Sequence, residues 1–298
     1  MSQSGNRLGL TFAVLGAVGF SFKAILIKLA YPYGVDAVTL LALRMGLSLP
    51  FFLALGWADR RRRQPGPLSG RDWGLMLGLG VTGYYLASYL DFLGLQYISA
   101  ALERLILFAY PTLVVLFSAL FLGKPITRRA AGSIALCYAG IALAVAHDLD
   151  LGGDAHEVWL GGALVFGSAV SYALYLMGNG QAVGRLGAAR VTAAASTIAC
   201  VLCLVHFAAT RPLGLLVQPA PVMGLAVAMA LFSTVLPVWM VSEAIRRLGA
   251  GPVSLIGTLG PVVTLFLGWL ILAEPIGVYQ LVGGALVIAG VLLVGSKR

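Results

Sequence analysis

The sequence predicts an all-α integral membrane protein: ten transmembrane helices arranged as two inverted five-helix repeats. Three observations predict it. The 298 residues are 60% hydrophobic and 10% charged, with a mean hydropathy of +0.95, where a soluble domain carries about 25% charged residues. Ten apolar segments come close to or exceed the roughly 20 residues of a membrane crossing. Residues 97–145 align without a gap on residues 247–295, an offset of 150.

The first span, 8–30, is too long for the apolar core of a signal peptide and has no A-x-A site after it, so it reads as a true crossing. It carries Lys23. The second span, 36–58, carries Arg44 eight residues in. The third, 73–95, holds Tyr84, Tyr85, Ser88, Tyr89 and Asp91, and the fourth, 99–122, holds Glu103, Arg104, Tyr110 and Pro111. The fifth, 127–146, ends the first repeat. The sixth, 158–179, carries Tyr172 and Tyr175. The seventh, 188–209, carries Cys200, Cys203 and His206 at i, i+3 and i+6, too wide around the helix for one metal site, so close packing is expected there. The eighth, 222–244, carries Trp239 and ends at Glu243. The ninth, 250–272, carries Gly257, Thr258, Gly260 and Pro261, and the tenth is 276–295. Thirty-eight glycines suit close helix approach in lipid.

The short loops set the orientation. With the N-terminus inside, fifteen Lys and Arg fall on the cytoplasmic side, among them Arg60 to Arg63, Lys124, Arg246, Arg247, Lys297 and Arg298, while only Arg211 falls outside. Both termini are expected in the cytoplasm of a cell with this protein in its inner membrane. The Arg60–Arg63 run reads as a topology anchor, since nucleic-acid binding would want a soluble basic fold with interleaved aromatics. Three cysteines are too few for a disulfide framework. No HExxH, P-loop or nucleophile–base pair is present. No enzyme, metal or cofactor is expected, and the expected partners are a small-molecule substrate and the bilayer, one chain sufficing.

The repeat divides the chain into residues 1–148 and 149–298. Tyr110-Pro111 falls on Gly260-Pro261, Leu122–Ile126 on Leu272–Ile276, and Ala139–Ile141 on Ala289–Val291. Five spans is an odd number, so the second copy must sit inverted. Inverted repeats give two related conformations open to opposite sides, with the binding site near the midplane; duplication for a stable bundle alone is the plainer alternative. Pro111 and Pro261 lack an N–H, which frees the carbonyls of Leu107 and Gly257. At membrane depth a freed carbonyl is tolerated against protein or a water-lined cavity. A matched pair of breaks points to the wall of a central pathway.

Intramembrane charges mostly face a cavity or each other. Depth suggests that Asp91 pairs with Arg104 as a structural link, and that Glu103 meets Lys23 across the cavity mouth. Glu103 is the one plausible carboxylate for ion coupling. Lys23, closest to the midplane, is the strongest binding candidate. Tyr85 and Tyr89 share a face with Ser88 nearby. With Tyr110, Trp239 and Thr258 they complete the expected binding set, because a tyrosine away from the interface needs a partner for its hydroxyl.

Each repeat ends in the pattern P-x(13)-[KE]-P-I-x(14)-G, as Pro111 … Lys124-Pro125-Ile126 … Gly140 and Pro261 … Glu274-Pro275-Ile276 … Gly290. A small-residue turn precedes each, Ser99–Ala101 and Gly249–Gly251. This resembles the EamA-type repeat of the drug/metabolite transporter superfamily over the whole chain. Lys124 departs from it, standing where an acidic residue is usual. The resemblance implies an exporter of small metabolites with a cavity between the first, third, fourth, sixth, eighth and ninth spans. Within the superfamily the tyrosine-lined midplane is similar to YddG-like exporters of aromatic and other neutral amino acids, working by alternating access; the alternatives are an exporter of another metabolite or drug class in the same superfamily and, in a different class, a membrane-embedded enzyme or a channel.

Overall fold

The computed structural model describes residues 3–63, 66, 68–150 and 154–295. Lys297 and Arg298 of the orientation count, and parts of the loops after the second and fifth spans, lie outside the described residues. Among the described residues every regular element is helical. In chain order they are α1 (Gln3–Ala30), α2 (Ala37–Arg63), α3 (Gly70–Leu79), α4 (Ala87–Gly94), α5 (Ala100–Leu107), α6 (Tyr110–Leu122) and α7 (Arg128–Asp150). Then come α8 (Ala155–Leu186), α9 (Ala188–Thr210), α10 (Ala220–Ala230), α11 (Leu236–Leu248), α12 (Ala250–Gly257), α13 (Leu259–Leu272) and α14 (Val278–Gly295).

Eight helical stretches among the described residues are long and apolar enough to cross a membrane. The stretch Val278–Leu293 is apolar but shorter. The segment Gly70–Gly94 is not among the eight; Asp91 and its tyrosines lower its hydropathy.

Local chemistry explains the helix ends. Gly34, at φ 80°, ends the turn after α1 in the left-handed region that glycine enters without strain. Asp36 then caps α2, its carboxylate accepting the N–H groups of Val38 and Thr39. Burial works against its ionisation, but the hydrogen bonds from Thr39 and the nearby Arg211 guanidinium outweigh it and hold the carboxyl below its usual range. Ser69 and Asp72 form a capping box at α3, and Ser99 accepts the N–H of Leu102 at α5.

The expected fourth and ninth spans are both broken. Pro111 is the second residue of α6 and Pro261 the third of α13, so each proline opens a new helix after a short interruption. Two further interruptions were not anticipated. Residues Gly80–Leu86 and Leu231–Val235 form wider π-turns, so α3–α4 and α10–α11 are each one continuous helix with a bulge. The two bulges sit about one repeat offset apart. A π-turn disturbs the regular ladder, and hydroxyls serve carbonyls beside it: Ser171 donates to Thr82 O at 2.7 Å and Ser168 to Ala87 O at 2.7 Å.

Packing is close where small residues meet. Ser133 Oγ on α7 donates to Gly290 O on α14 at 2.6 Å. A Cβ on Gly140 would collide with Gly283 O, and one on Gly290 would lie 2.9 Å from Ser133 O. The α7–α14 crossing is thus a reciprocal backbone contact that only small residues permit. A large core gathers Ile25, Leu40, Leu41, Phe92, Cys200 and Met229 from α1, α2, α4, α9 and α10. A second gathers Leu102, Leu105, Ala144, Val165 and Val287 from α5, α7, α8 and α14.

Candidate functional site

Lys23 on α1 organises the interior charges. Its Nζ lies 2.5 Å from Asp91 Oδ2 on α4 and 3.3 Å from Glu103 Oε1 on α5. The Lys23 side chain is 16% exposed, that of Asp91 2% and that of Glu103 0%, so Lys23 is the member of the cluster with appreciable access. Asp91 Oδ1 and both Glu103 oxygens have no hydrogen-bond partner. The expected Asp91–Arg104 pair does not form. Successive residues on α5 point about 100° apart, so with Glu103 turned to Lys23, Arg104 is carried round toward α13. There its guanidinium packs over the Phe108 ring and close to Gly260, and its Nε has no partner.

The broken helices border this cluster. Ser21, two residues before Lys23, donates to Gly260 O at 3.2 Å, immediately before Pro261. Thr264 on α13 donates back to Ser21 O at 3.5 Å. One hydroxyl of α1 thus serves a carbonyl at the break. Thr258, between α12 and α13, turns its hydroxyl to Leu255 O at 2.6 Å and caps its own helix.

The aromatic candidates divide into separate groups. Tyr110 stands edge-on to Tyr172 on α8, which stacks on Tyr175, whose hydroxyl is 3.2 Å from that of Tyr84. Tyr85 and Tyr89 stack on each other and pack on His206 of α9, with Tyr85 Oη 3.0 Å from His206 Nδ1. They face α9, whereas Asp91 on the same helix faces Lys23. Ser88 is half-buried between these two directions. Trp239 is 53% exposed against Phe12 and stands outside the charged cluster.

Arg44, whose direction the sequence left open, is buried on α2: its Nε donates to Thr234 Oγ1 at 2.9 Å, it lies over the Phe92 ring, and its Nη1 has no partner. Thr234 sits in the second π-turn. The link could not be read from 190 residues of separation. His206 was grouped with Cys200 and Cys203 on spacing alone; its real neighbours are tyrosines on another span.

A polar latch joins the end of the bundle where α1 and α7 finish and α5 begins. Glu274, between α13 and α14, accepts the Ala100 N–H at 2.9 Å. Asp148 accepts the Ser99 N–H at 3.1 Å and its hydroxyl at 3.0 Å. Lys28 donates to Ile98 O at 2.9 Å, and His147 Nε2 reaches Pro275 O at 3.2 Å. Burial pushes the Glu274 carboxyl above its ordinary 4.5, and the Ala100 N–H pulls it partly back. Lys124, which occupies the matching position in the first half, is exposed.

An apolar groove of about 430 Å³ runs between α1 and the α10–α11 helix, lined by Val18, Phe22, Leu26, Phe232 and Pro237 among others. It offers no charged group. The chemistry of the interior therefore lies in the Lys23 cluster and its two arginine neighbours, Arg44 buried and Arg104 half-buried: a place that can neutralise, orient or exchange small charged groups.

The model of the EamA-like transporter family matches residues 7–146 and again residues 159–296. The chain is similar to "Uncharacterized transporter YcbK" of Bacillus subtilis (strain 168), 31% identical over 283 residues, 92% of this chain and 88% of that one. It is 28% identical over 220 residues to "Uncharacterized transporter YyaM" of the same organism, 72% of this chain and 70% of that one. A solved crystal structure superposes with a TM-score of 0.62 at 19% identity, across 99% of this chain and 98% of that one, a likeness of fold alone. None of these names carries a substrate. With a family model matched along most of its length and a multi-pass helical fold, the chain belongs to the EamA-like transporter family.

Proposed function

We propose that this protein is a secondary transporter that exports small metabolites, neutral and aromatic amino acids foremost, by alternating access. The observation that carries the reading is the placement of the Lys23 cluster against the two broken helices, with Ser21 touching the carbonyl beside Pro261. A partly exposed lysine beside two helix breaks suits a zwitterion: the ammonium would address a carboxylate, and carbonyls that the prolines leave without a helix partner would address an amino group. The tyrosines of α4, α6 and α8 favour an apolar or aromatic side chain.

In this reading the chain makes ten crossings as two inverted repeats, residues 1–148 and 149–298. The twofold family match, the two π-turns and the reciprocal α7–α14 contacts support it. Gly70–Gly94 and Val278–Gly295 supply the crossings beyond the eight. Both termini lie in the cytoplasm of the inner membrane, which puts the Glu274–Ala100 latch on the outer face. One chain holds the whole pathway.

Arg44, buried, and Arg104, half-buried, favour a second reading, in which the substrate is an organic anion. Counterflow in proteoliposomes tests both. Vesicles loaded with an unlabelled amino acid are offered labelled tryptophan, phenylalanine, threonine or glutamate. Transient accumulation of the neutral ones is expected. Accumulation of glutamate alone would favour the anion, and accumulation of none would remove amino acids from consideration while leaving the transporter assignment intact.

A further inference from the structure

The interior holds a charge imbalance that the substrate reading does not use. Asp91 and Glu103 both lie against Lys23, and their side chains are 2% and 0% exposed. Three of their four oxygens lack a hydrogen-bond partner. Within ion-pair distance two carboxylates face one ammonium in a desolvated place, so one of them has no ammonium of its own. A buried ion without a partner costs several kcal/mol or more, roughly, and such a group is neutralised instead. Two carboxyls held against one ammonium can satisfy the open oxygens by sharing a single proton between them.

Two arginines act on the pair through space, Arg104 on Glu103 and Arg44 on Asp91, but neither comes within ion-pair distance as Lys23 does. Arg104, its neighbour on α5, turns toward Gly260 and Phe108 on the far side. From α13 come Gly260 and Thr264, which do not titrate. The α7, α8 and α14 faces against α5 present Ala144, Val165 and Val287. Asp148 and Glu274 hold Ser99 and Ala100, about one turn away toward the helix end. On the Asp91 side, Arg44 reaches the Phe92 ring but bonds to Thr234, and Tyr31 donates its hydroxyl to Phe92 O.

We propose that Asp91 and Glu103 together form a proton-binding site holding one exchangeable proton against Lys23, and that this proton is the counter-ion of export. The coupling rests on the transporter reading above; the proton site does not. The site spans three helices, α1, α4 and α5, so a movement between them changes both its access and its charge balance. A proton arriving from outside settles on the pair and leaves Lys23 facing one negative charge instead of two. Release to the cytoplasm restores the second charge and the tighter hold on Lys23. One proton enters for each turn of the cycle, and one substrate leaves.

Infrared spectroscopy of the purified, full-length protein reads the site without any substrate. Near neutral pH the wild type is expected to show the C=O stretch of a protonated carboxyl, and Asp91→Asn and Glu103→Gln are read in a Glu274→Gln background, which removes another carboxyl that burial holds above its ordinary range. Asp91→Asn and Glu103→Gln are each expected to abolish it, because either leaves one carboxylate for one ammonium. Glu274→Gln is expected to leave it in place. A band absent from the Glu274→Gln protein, or surviving there on addition of either Asp91→Asn or Glu103→Gln, overturns the proposal. Either substitution suffices, so one that fails to fold leaves the other to decide. Coupling is read in vesicles made acid inside, where one unit of pH gradient sets a limit of about tenfold accumulation of labelled phenylalanine for one-to-one exchange. Accumulation in the wild type and its loss in Glu103→Gln are expected. Counterflow of phenylalanine with no gradient-driven accumulation overturns the coupling. If phenylalanine shows neither, the substrate reading falls and the infrared band alone decides the proton site.

Discussion

Lys23 Nζ on α1 lies 2.5 Å from Asp91 Oδ2 on α4 and 3.3 Å from Glu103 on α5, so one ammonium ties the first span to two others. Removing one partner of a buried pair is far more damaging than the net worth of the pair, because the rest is left uncompensated. Lys23→Met strands the Asp91–Glu103 pair without its cation and is expected to cost about 3 kcal/mol or more near neutral pH. Lys23→Arg keeps the charge and should lose less. Thermal melts in detergent check this; equal melting of Lys23→Met and wild type would show that the cluster is not structural.

The latch at Glu274 has a predictable pH dependence. Burial holds its carboxyl above the ordinary 4.5 in the folded protein. The native state therefore binds the proton that the unfolded state has released, and stability falls as pH rises from the unfolded value through the folded one. Glu274→Gln keeps an oxygen for the Ala100 N–H and removes that slope. Melts of both proteins from about pH 4 to pH 8 should diverge in slope. Parallel curves would mean that Glu274 is not held protonated by its surroundings.

Pro111 and Pro261 begin α6 and α13 after breaks in otherwise continuous spans. Alanine restores an N–H and removes the ring that keeps the preceding turn from running on into the helix, so the two pieces can join. Pro111→Ala and Pro261→Ala are each expected to raise the melting temperature and to slow exchange, a trade of flexibility for stability. Exchange as fast as wild type with a healed helix would show that the breaks are only kinks in the packing.

Tyr85 and His206 share a 3.0 Å hydrogen bond between α9 and the helix formed by α3 and α4. Tyr85→Phe removes the hydroxyl and keeps the ring, with an expected loss of about 1 kcal/mol. Combined with His206→Ala, the losses should not add, because both substitutions delete one bond. Fully additive losses in the double-mutant cycle would mean that the bond does not form in the bilayer.

Much of the helical plan was legible in the chain. Apolar runs of about 20 residues have few alternatives to helix in lipid, and a proline marks its own break. The nearness of Glu103 to Lys23 followed from depth alone. Depth failed for Asp91, because it ranks residues along the membrane normal and says nothing about direction around the helix. The π-turns were invisible, since no residue type demands them as proline demands a break. His206 was judged by its sequence neighbours, although a helix face is defined by what packs on it. Trp239 was counted among interior aromatics, yet it stands half-exposed beside Phe12.

By itself the sequence determined that the chain is a membrane protein, where most of its helices run, which two of them break, and which charged groups must find company. These follow from composition and spacing, through the cost of polar groups in hydrocarbon. Only the tertiary structure decided who meets whom: Asp91 with Lys23 rather than Arg104, Tyr85 with His206, Glu274 with Ala100, Arg44 with Thr234. Those pairs join residues 68 to 190 positions apart. Their formation depends on how each helix is rotated against its neighbours, and that rotation is set by the whole interface, down to small residues such as Gly140, Gly283 and Gly290.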